Sequence, residues 1–94
     1  MAYQVNWAPA KEDIRALESE LRKRIIRKIG SIIDHPFHFV ERVQGYPLFK
    51  LRIGDYRAII DIKQKDNQIV IVLVGHRSKV YQELARRMQS YTPG

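Results

Sequence analysis

Apolar and polar positions alternate at the start of the chain, where Tyr3, Val5 and Trp7 are separated by Gln4 and Asn6. A period of two predicts a half-buried strand, because successive strand side chains point to opposite faces. From Ala8-Pro9 the period changes. Ile14, Leu17, Leu21, Ile25, Ile29 and the pair Ile32-Ile33 recur at three- and four-residue spacing, with Lys11, Arg15, Glu18, Arg22 and Lys28 left outside. That is an amphipathic helical pattern, and Pro9 suits its first turn, where a missing N–H costs nothing. The pattern fits one helix or two. Ser19 is a candidate N-cap, and a break there makes a helical hairpin. Pro36 ends the segment by His35, since the residue before a proline avoids the α conformation.

From His35 to Pro47 the periodicity is lost, and the segment reads as a loop anchored by Phe37, Phe39 and Val43. Alternation then returns. Phe49, Leu51 and Ile53 form an apolar face, with Leu48, Lys50 and Arg52 on the other; Gly54-Asp55 is a turn signal, and Tyr56–Ile62 is a second strand. Lys65-Asp66-Asn67 predicts another turn. The uninterrupted apolar run Ile69–Val74 predicts a central strand buried on both faces. After Gly75-His76-Arg77, Ser78 is a candidate cap for a helix through Met88, with Val80, Leu84 and Met88 as its inner stripe and Tyr81 alongside; Gln89–Gly94 reads as a frayed tail. The order is β-α-α-β-β-β-α: a single α+β domain over residues 1–94, with a small, mostly antiparallel sheet and helices on one of its faces.

Charge sharpens this picture. The 94 residues carry 17 Lys and Arg against 10 Asp and Glu, a net charge of +7, which favours polyanionic partners and nucleic acid first among them. Cysteine is absent, so neither disulfides nor thiolate zinc sites contribute. No apolar run reaches a membrane span and the N-terminus shows no signal-peptide core, so a cytoplasmic protein with no membrane partner is expected.

Three cations, Lys50, Arg52 and Arg57, converge on the central hairpin. Lys50 and Arg52 alone would pass as the solvated face of an ordinary sheet. Arg57 interrupts an apolar strand and Arg77 ends one, and guanidinium groups give planar, bidentate, permanently charged recognition of phosphate. Lys79 and Tyr81 follow on the next helix, where a tyrosine can stack on a base or simply pack against the sheet. His76 can serve proton transfer or a strand-end hydrogen bond. No Ser-His-Asp order, glycine-rich phosphate loop or metal-ligand spacing is present.

These segments resemble the RelE side of the RelE/ParE toxin superfamily of toxin–antitoxin systems. The likeness covers nearly the whole chain and is carried by the opening Tyr-x-Val-x-Trp strand, by Leu51–Arg57 and by Val74–Tyr81. It implies an endoribonuclease, an mRNA interferase that cleaves messages in the ribosomal A site and is held at rest by a RelB-like antitoxin. It needs no cofactor or metal, because the 2′-hydroxyl attacks the adjacent phosphodiester to give a cyclic phosphate. Carried over by position, Lys50, Arg52 and Arg57 neutralise the phosphate, Arg77 serves the leaving oxygen, and Tyr81 stacks on or orients a base, with Lys79 beside it on the RNA. Members with a lysine-rich site carry a basic residue two positions before the one matching Lys50. Here that residue is Leu48, which leaves Lys50 and His76 as candidate bases. The other readings are a ParE-like toxin that poisons DNA gyrase, a non-catalytic basic RNA-binding module, and a small structural homodimer.

Overall fold

A computed structural model describes residues 2–93. The elements are β1 (Gln4–Asn6), a 3-10 turn (Ala8–Ala10), α1 (Lys11–Arg15), α2 (Ser19–Gly30), a second 3-10 turn (Pro36–His38), β2 (Glu41–Arg42), β3 (Phe49–Ile53), β4 (Tyr56–Lys63), β5 (Gln68–His76) and α3 (Val80–Arg87). The five strands form one sheet in the order β1-β5-β4-β3-β2, with only the β1–β5 pair parallel. The apolar and turn patterns thus mark these elements, apart from the two-residue β2 inside the expected loop. The helical segment does break in two, but its cap is Glu18, whose carboxylate accepts from the backbone N–H groups of Glu20 and Leu21 at 2.8 and 3.3 Å. Ser19 is instead the first helical residue.

The helices lie on both faces of the sheet, not on one. Ile25, Ile29 and Ile32 pack with Leu51, Ile53, Ala58, Ile60, Ile69 and Ile71 on the α2 face. On the other face Val80 and Leu84 of α3 pack with Leu48, Ile59, Val70, Val72 and Leu73. A strand apolar on both sides requires a layer on each, since leaving one side wet forfeits roughly 1.5–3 kcal/mol per large side chain. β5 lies inside the sheet, between β1 and β4, as its apolar run requires, although β4 is the third of the five strands and β1 covers β5 only at Gln68, Ile69 and Val70.

Pairing between β4 and β5 shifts by one residue. Ile59 is opposite Leu73 and Ile60 is opposite Ile71, so Val72 is the extra residue of a bulge. Val72 and Leu73 consequently both face α3, and the alternation beyond them is inverted. Gly75 then lies on the α3 side, where a Cβ would meet Val80 at 3.4 Å.

Beyond β1 the edge of β5 is closed by side chains. Arg87 Nη1 donates to the Val72 carbonyl at 2.8 Å and to the Pro9 carbonyl at 2.9 Å, and Asp13 Oδ2 accepts from the Val74 backbone N–H at 3.2 Å. The two side chains form a fork-to-fork pair at 2.9 and 3.0 Å. Its hydrogen bond to Asp13 is the main reason the Arg87 pKa is raised above its ordinary value.

The segment around Tyr91 is anchored where a frayed tail over 89–94 was expected, Gly94 lying outside the described residues. Tyr91 packs against the α3-side core, and its hydroxyl donates to the buried Asp61 at 2.6 Å. The expected loop anchors also change: Pro36 and Val43 are buried, whereas Phe37 and Phe39 are 42% and 50% exposed. Ser78 caps no helix, because its hydroxyl and N–H both engage His76, and α3 begins after Lys79 without a side-chain cap.

Two stability effects are expected. Arg87→Met leaves the Asp13 carboxylate, only 18% exposed, without its cation, and should cost about 3 kcal/mol in urea unfolding. Asp13→Ala added to it should restore only part of that, since Val72 and Val74 remain without their edge partners; full restoration would refute the edge role. Burial first, and then the bond to the Asp61 carboxylate, raise the Tyr91 pKa. A phenol whose folded pKa is raised stabilises the fold below its unfolded pKa of about 10 and loses that contribution as pH rises above it. Alkaline unfolding should therefore be steeper in the native chain than in Tyr91→Phe, measured by circular dichroism against pH.

Candidate functional site

The β3–β4 hairpin sets the geometry. Gly54 takes φ +60° at its turn, a conformation glycine adopts without strain. Leu51 and Ile53 then point to the α2 core, which puts Lys50 and Arg52 on the α3 side of the pleat. Arg57 joins them, being the direct cross-strand partner of Arg52 and, on its other side, of Gly75. Two guanidinium groups directly opposite each other on a sheet repel. They are held by different means. Arg57 Nη1 donates to the carbonyls of Gly54 and Tyr56, both at 2.9 Å, while Arg52 Nε lies 3.2 Å from Glu41 Oε1.

Glu41 is a site residue that sequence reasoning missed. Strand β2 puts it directly opposite Lys50, so a carboxylate enters the cationic row. The signal was slight, a two-residue strand within an aperiodic loop. Tyr46 was missed for the same reason. It lines, with Val43, Gln44, Lys50 and Tyr81, a cleft of about 330 Å³. Tyr81 is 43% exposed and its ring centroid lies 5.7 Å from Lys50 Nζ, a cation–π contact that holds the ammonium beside an accessible aromatic face. The structure therefore brings together Lys50, Arg52, Arg57 and Tyr81, and adds Glu41 and Tyr46.

Arg77 sits at the hairpin end of this face. Its N–H donates to the Asp55 carbonyl at 2.8 Å, and its Nε is 3.8 Å from the Asp55 carboxylate. Lys79 is exposed, and its N–H bonds the His76 carbonyl, closing the turn into α3. His76 is separated from the cationic row. The bulge at Val72 sends its ring to the opposite side, edge-to-face with Tyr56 at 5.4 Å, where Nδ1 accepts from the Ser78 N–H at 3.1 Å. Leu48 is fully buried in the α3-side core, so its position holds packing and not a proton-transfer group. Among the described residues, no group of three or more His, Cys, Asp or Glu side chains is placed to hold a metal ion. None of the described helices is long and apolar enough to cross a membrane.

A row of donors, one carboxylate and two accessible tyrosines suits a phosphate with its base. Comparison with known proteins gives the family and the fold. A family model described as the ParE toxin of the type II toxin–antitoxin system parDE matches residues 7–81. Among solved structures, the chain is similar to the toxin–antitoxin complex RelBE2 from Mycobacterium tuberculosis (TM-score 0.73, 23% identity, covering 82% of this chain and 100% of that one). It is similar to a mutant E. coli toxin RelE in the free state (TM-score 0.72, 26% identity, 94% and 99% covered). It also resembles the archaeal RelE–RelB complex from Pyrococcus horikoshii (TM-score 0.69, 24% identity, 85% and 100% covered). A search of curated proteins gives no match.

The geometry separates two residues that the sequence leaves side by side with the cations. Tyr81→Ala should weaken binding of a short all-2′-deoxy oligonucleotide by about 1–3 kcal/mol, the worth of one stacked base. His76→Ala should leave that affinity unchanged in the same anisotropy titration. Equal losses would put the His76 ring at the site.

Proposed function

The chain belongs to the ParE toxin family of type II toxin–antitoxin systems, within the RelE/ParE superfamily, and we propose that it acts as a RelE-type mRNA interferase, cleaving messages in the ribosomal A site. The observation that carries the reading is the shared face of Lys50, Arg52 and Arg57 beside Tyr81, in which two arginines are direct cross-strand partners. Opposed cations are a cost to the fold that a bound phosphate offsets.

In this reading the 2′-hydroxyl oxygen forms a bond to phosphorus as the bond to the 5′-oxygen breaks, leaving a 2′,3′-cyclic phosphate and a 5′-hydroxyl. Lys50, Arg52 and Arg57 stabilise the charge gathering on the phosphoryl oxygens, and Arg77 serves the departing 5′-oxygen. The attacking hydroxyl needs an acceptor for its proton. Arginine and lysine side chains, while charged, only donate, whereas an ionised glutamate only accepts. Glu41, opposite Lys50 and bonded to Arg52, therefore takes the role of base in place of His76. Tyr81 and Tyr46 hold a base, with Lys79 on the flanking backbone. The cognate partner is a RelB-like antitoxin, a proposal supported by the RelE–RelB complexes among the solved relatives. Its site of action, the ribosome with its message, places the toxin in the cytoplasm.

An open sheet face orders a flexible RNA poorly, and in-line geometry is worth on the order of 7–11 kcal/mol in the best intramolecular cases. The ribosome supplies that ordering. Purified protein should cut a transcript rapidly on programmed ribosomes with an empty A site and slowly or not at all when the transcript is naked. Arg57→Ala and Glu41→Gln should each lower the ribosomal rate by about 10²–10³. Equal rates with and without ribosomes would refute the proposal. The ParE description of the matching family favours one other reading, a gyrase inhibitor acting by protein contact. Blocked supercoiling with intact message would select it.

A further inference from the structure

We propose a second RNA-binding subsite, between α2 and the outer edge of β3, which grips the single strand flanking the scissile phosphodiester. The identity of the strand rests on the interferase reading above; the site rests on different residues. Arg24, Arg27 and Lys28 of α2 face Arg52 and Ile53 across a cleft of about 410 Å³ that Ser31 completes. Four cations line it, and no carboxylate does. Arg24 and Lys28 stand four residues apart on one helix, a like-charge spacing that weakens a helix by a few tenths of a kcal/mol, and neither Arg24 nor Arg27 has a carboxylate within ion-pair distance among the described residues. α2 does use such pairing elsewhere, between Glu20 and Lys23. Arg52 is shared with Glu41, whereas the three cations of α2 are left for an external anion.

Two further observations shape the ligand. The Arg24 guanidinium lies against the hairpin turn so closely that a Cβ on Gly54 would stand 2.8 Å from Nη2, so the group reaches from α2 to the β3–β4 turn. Phe39, half exposed, has its ring centroid 5.9 Å from Lys28 Nζ. Guanidinium forks suit phosphate oxygens, and an exposed ring beside a cation suits a stacked base. Arg52 belongs to both sites: it lines the cleft and shares the pleat with Lys50 and Arg57. Beyond the reach of β2, which covers only Phe49 and Lys50, no strand among the described residues lies along this edge of β3. A single strand can therefore run from the cationic face, past Arg52, to α2.

The test is anisotropy of a labelled 2′-O-methyl RNA oligonucleotide, which has no free 2′-hydroxyl to attack, titrated at several salt concentrations. Variants are Arg24→Gln/Arg27→Gln, Phe39→Ala and a charge-matched control, Lys63→Gln/Lys65→Gln, at the opposite end of β4; circular dichroism checks that each keeps the fold. The arginine variant should lower the slope of log K against log salt by about 1.4, roughly 0.7 for each single-strand phosphate contact. Phe39→Ala should weaken binding about tenfold at every salt concentration without changing the slope. The control should leave both unchanged. A native slope in the arginine variant, or an equal fall in the control, overturns the subsite. So does poly-L-glutamate that binds as tightly as RNA and depends on Arg24 and Arg27 but not on Phe39, which would assign the cleft to an acidic protein segment. Native protein that cuts no message on ribosomes, yet binds RNA through these arginines, loses the interferase reading and keeps the subsite.

Discussion

Arg87 and Asp13 occupy the place where a strand would otherwise lie beside residues 72–74 of β5. The guanidinium takes a carbonyl and the carboxylate takes an N–H, so two edge groups are satisfied without another strand. The same pair joins α3, on one face of the sheet, to α1 and the Pro9 turn on the other. It thereby fixes the C-terminal end of α3 while Val80, packed near Gly75, fixes the other end. The position of Tyr81 against Lys50 follows from those two attachments. A contact remote from the cations thus determines how much of their face the helix leaves open.

The open part of that face is organised by neutralisation that stops short of completion. Arg57 spends its hydrogen bonds on carbonyls of its own turn, and Arg52 has one carboxylate at 3.2 Å. Each group is oriented, but the row keeps an excess of positive charge. Oriented charge of this kind stabilises an incoming anion without reorganising as it arrives, which is the economical way for a small sheet to favour a phosphoryl group.

Much of the fold was legible because alternation and helical spacing are written directly into Phe49–Ile53, Ile14–Ile33 and Val80–Met88. The hairpin, its cations and the inner stripe of α3 follow from those periods. Residues 69–74 are different. A run that is apolar at every position carries no information about which side each residue takes, so neither the bulge at Val72 nor the side on which His76 emerges can be read from it. The same uniformity called for a helix on each face, which a one-sided arrangement cannot supply. Glu41 and Tyr46 were hidden in a segment without period, and Tyr91 in a tail whose side-chain hydrogen bond goes to a distant aspartate on β4.

The bulge also bears on how this architecture can change. Removing one residue at Val72 would restore simple alternation yet leave His76 opposite Tyr56, because Val72 and Leu73 share one side of the strand and only the duplicate is lost. A single deletion in this apolar strand would thus straighten it and keep the imidazole and the cationic row on their separate sides. The imidazole would join the cations only if the bulge were lost with every residue kept, so that pairing beyond Ile71 slipped by one position.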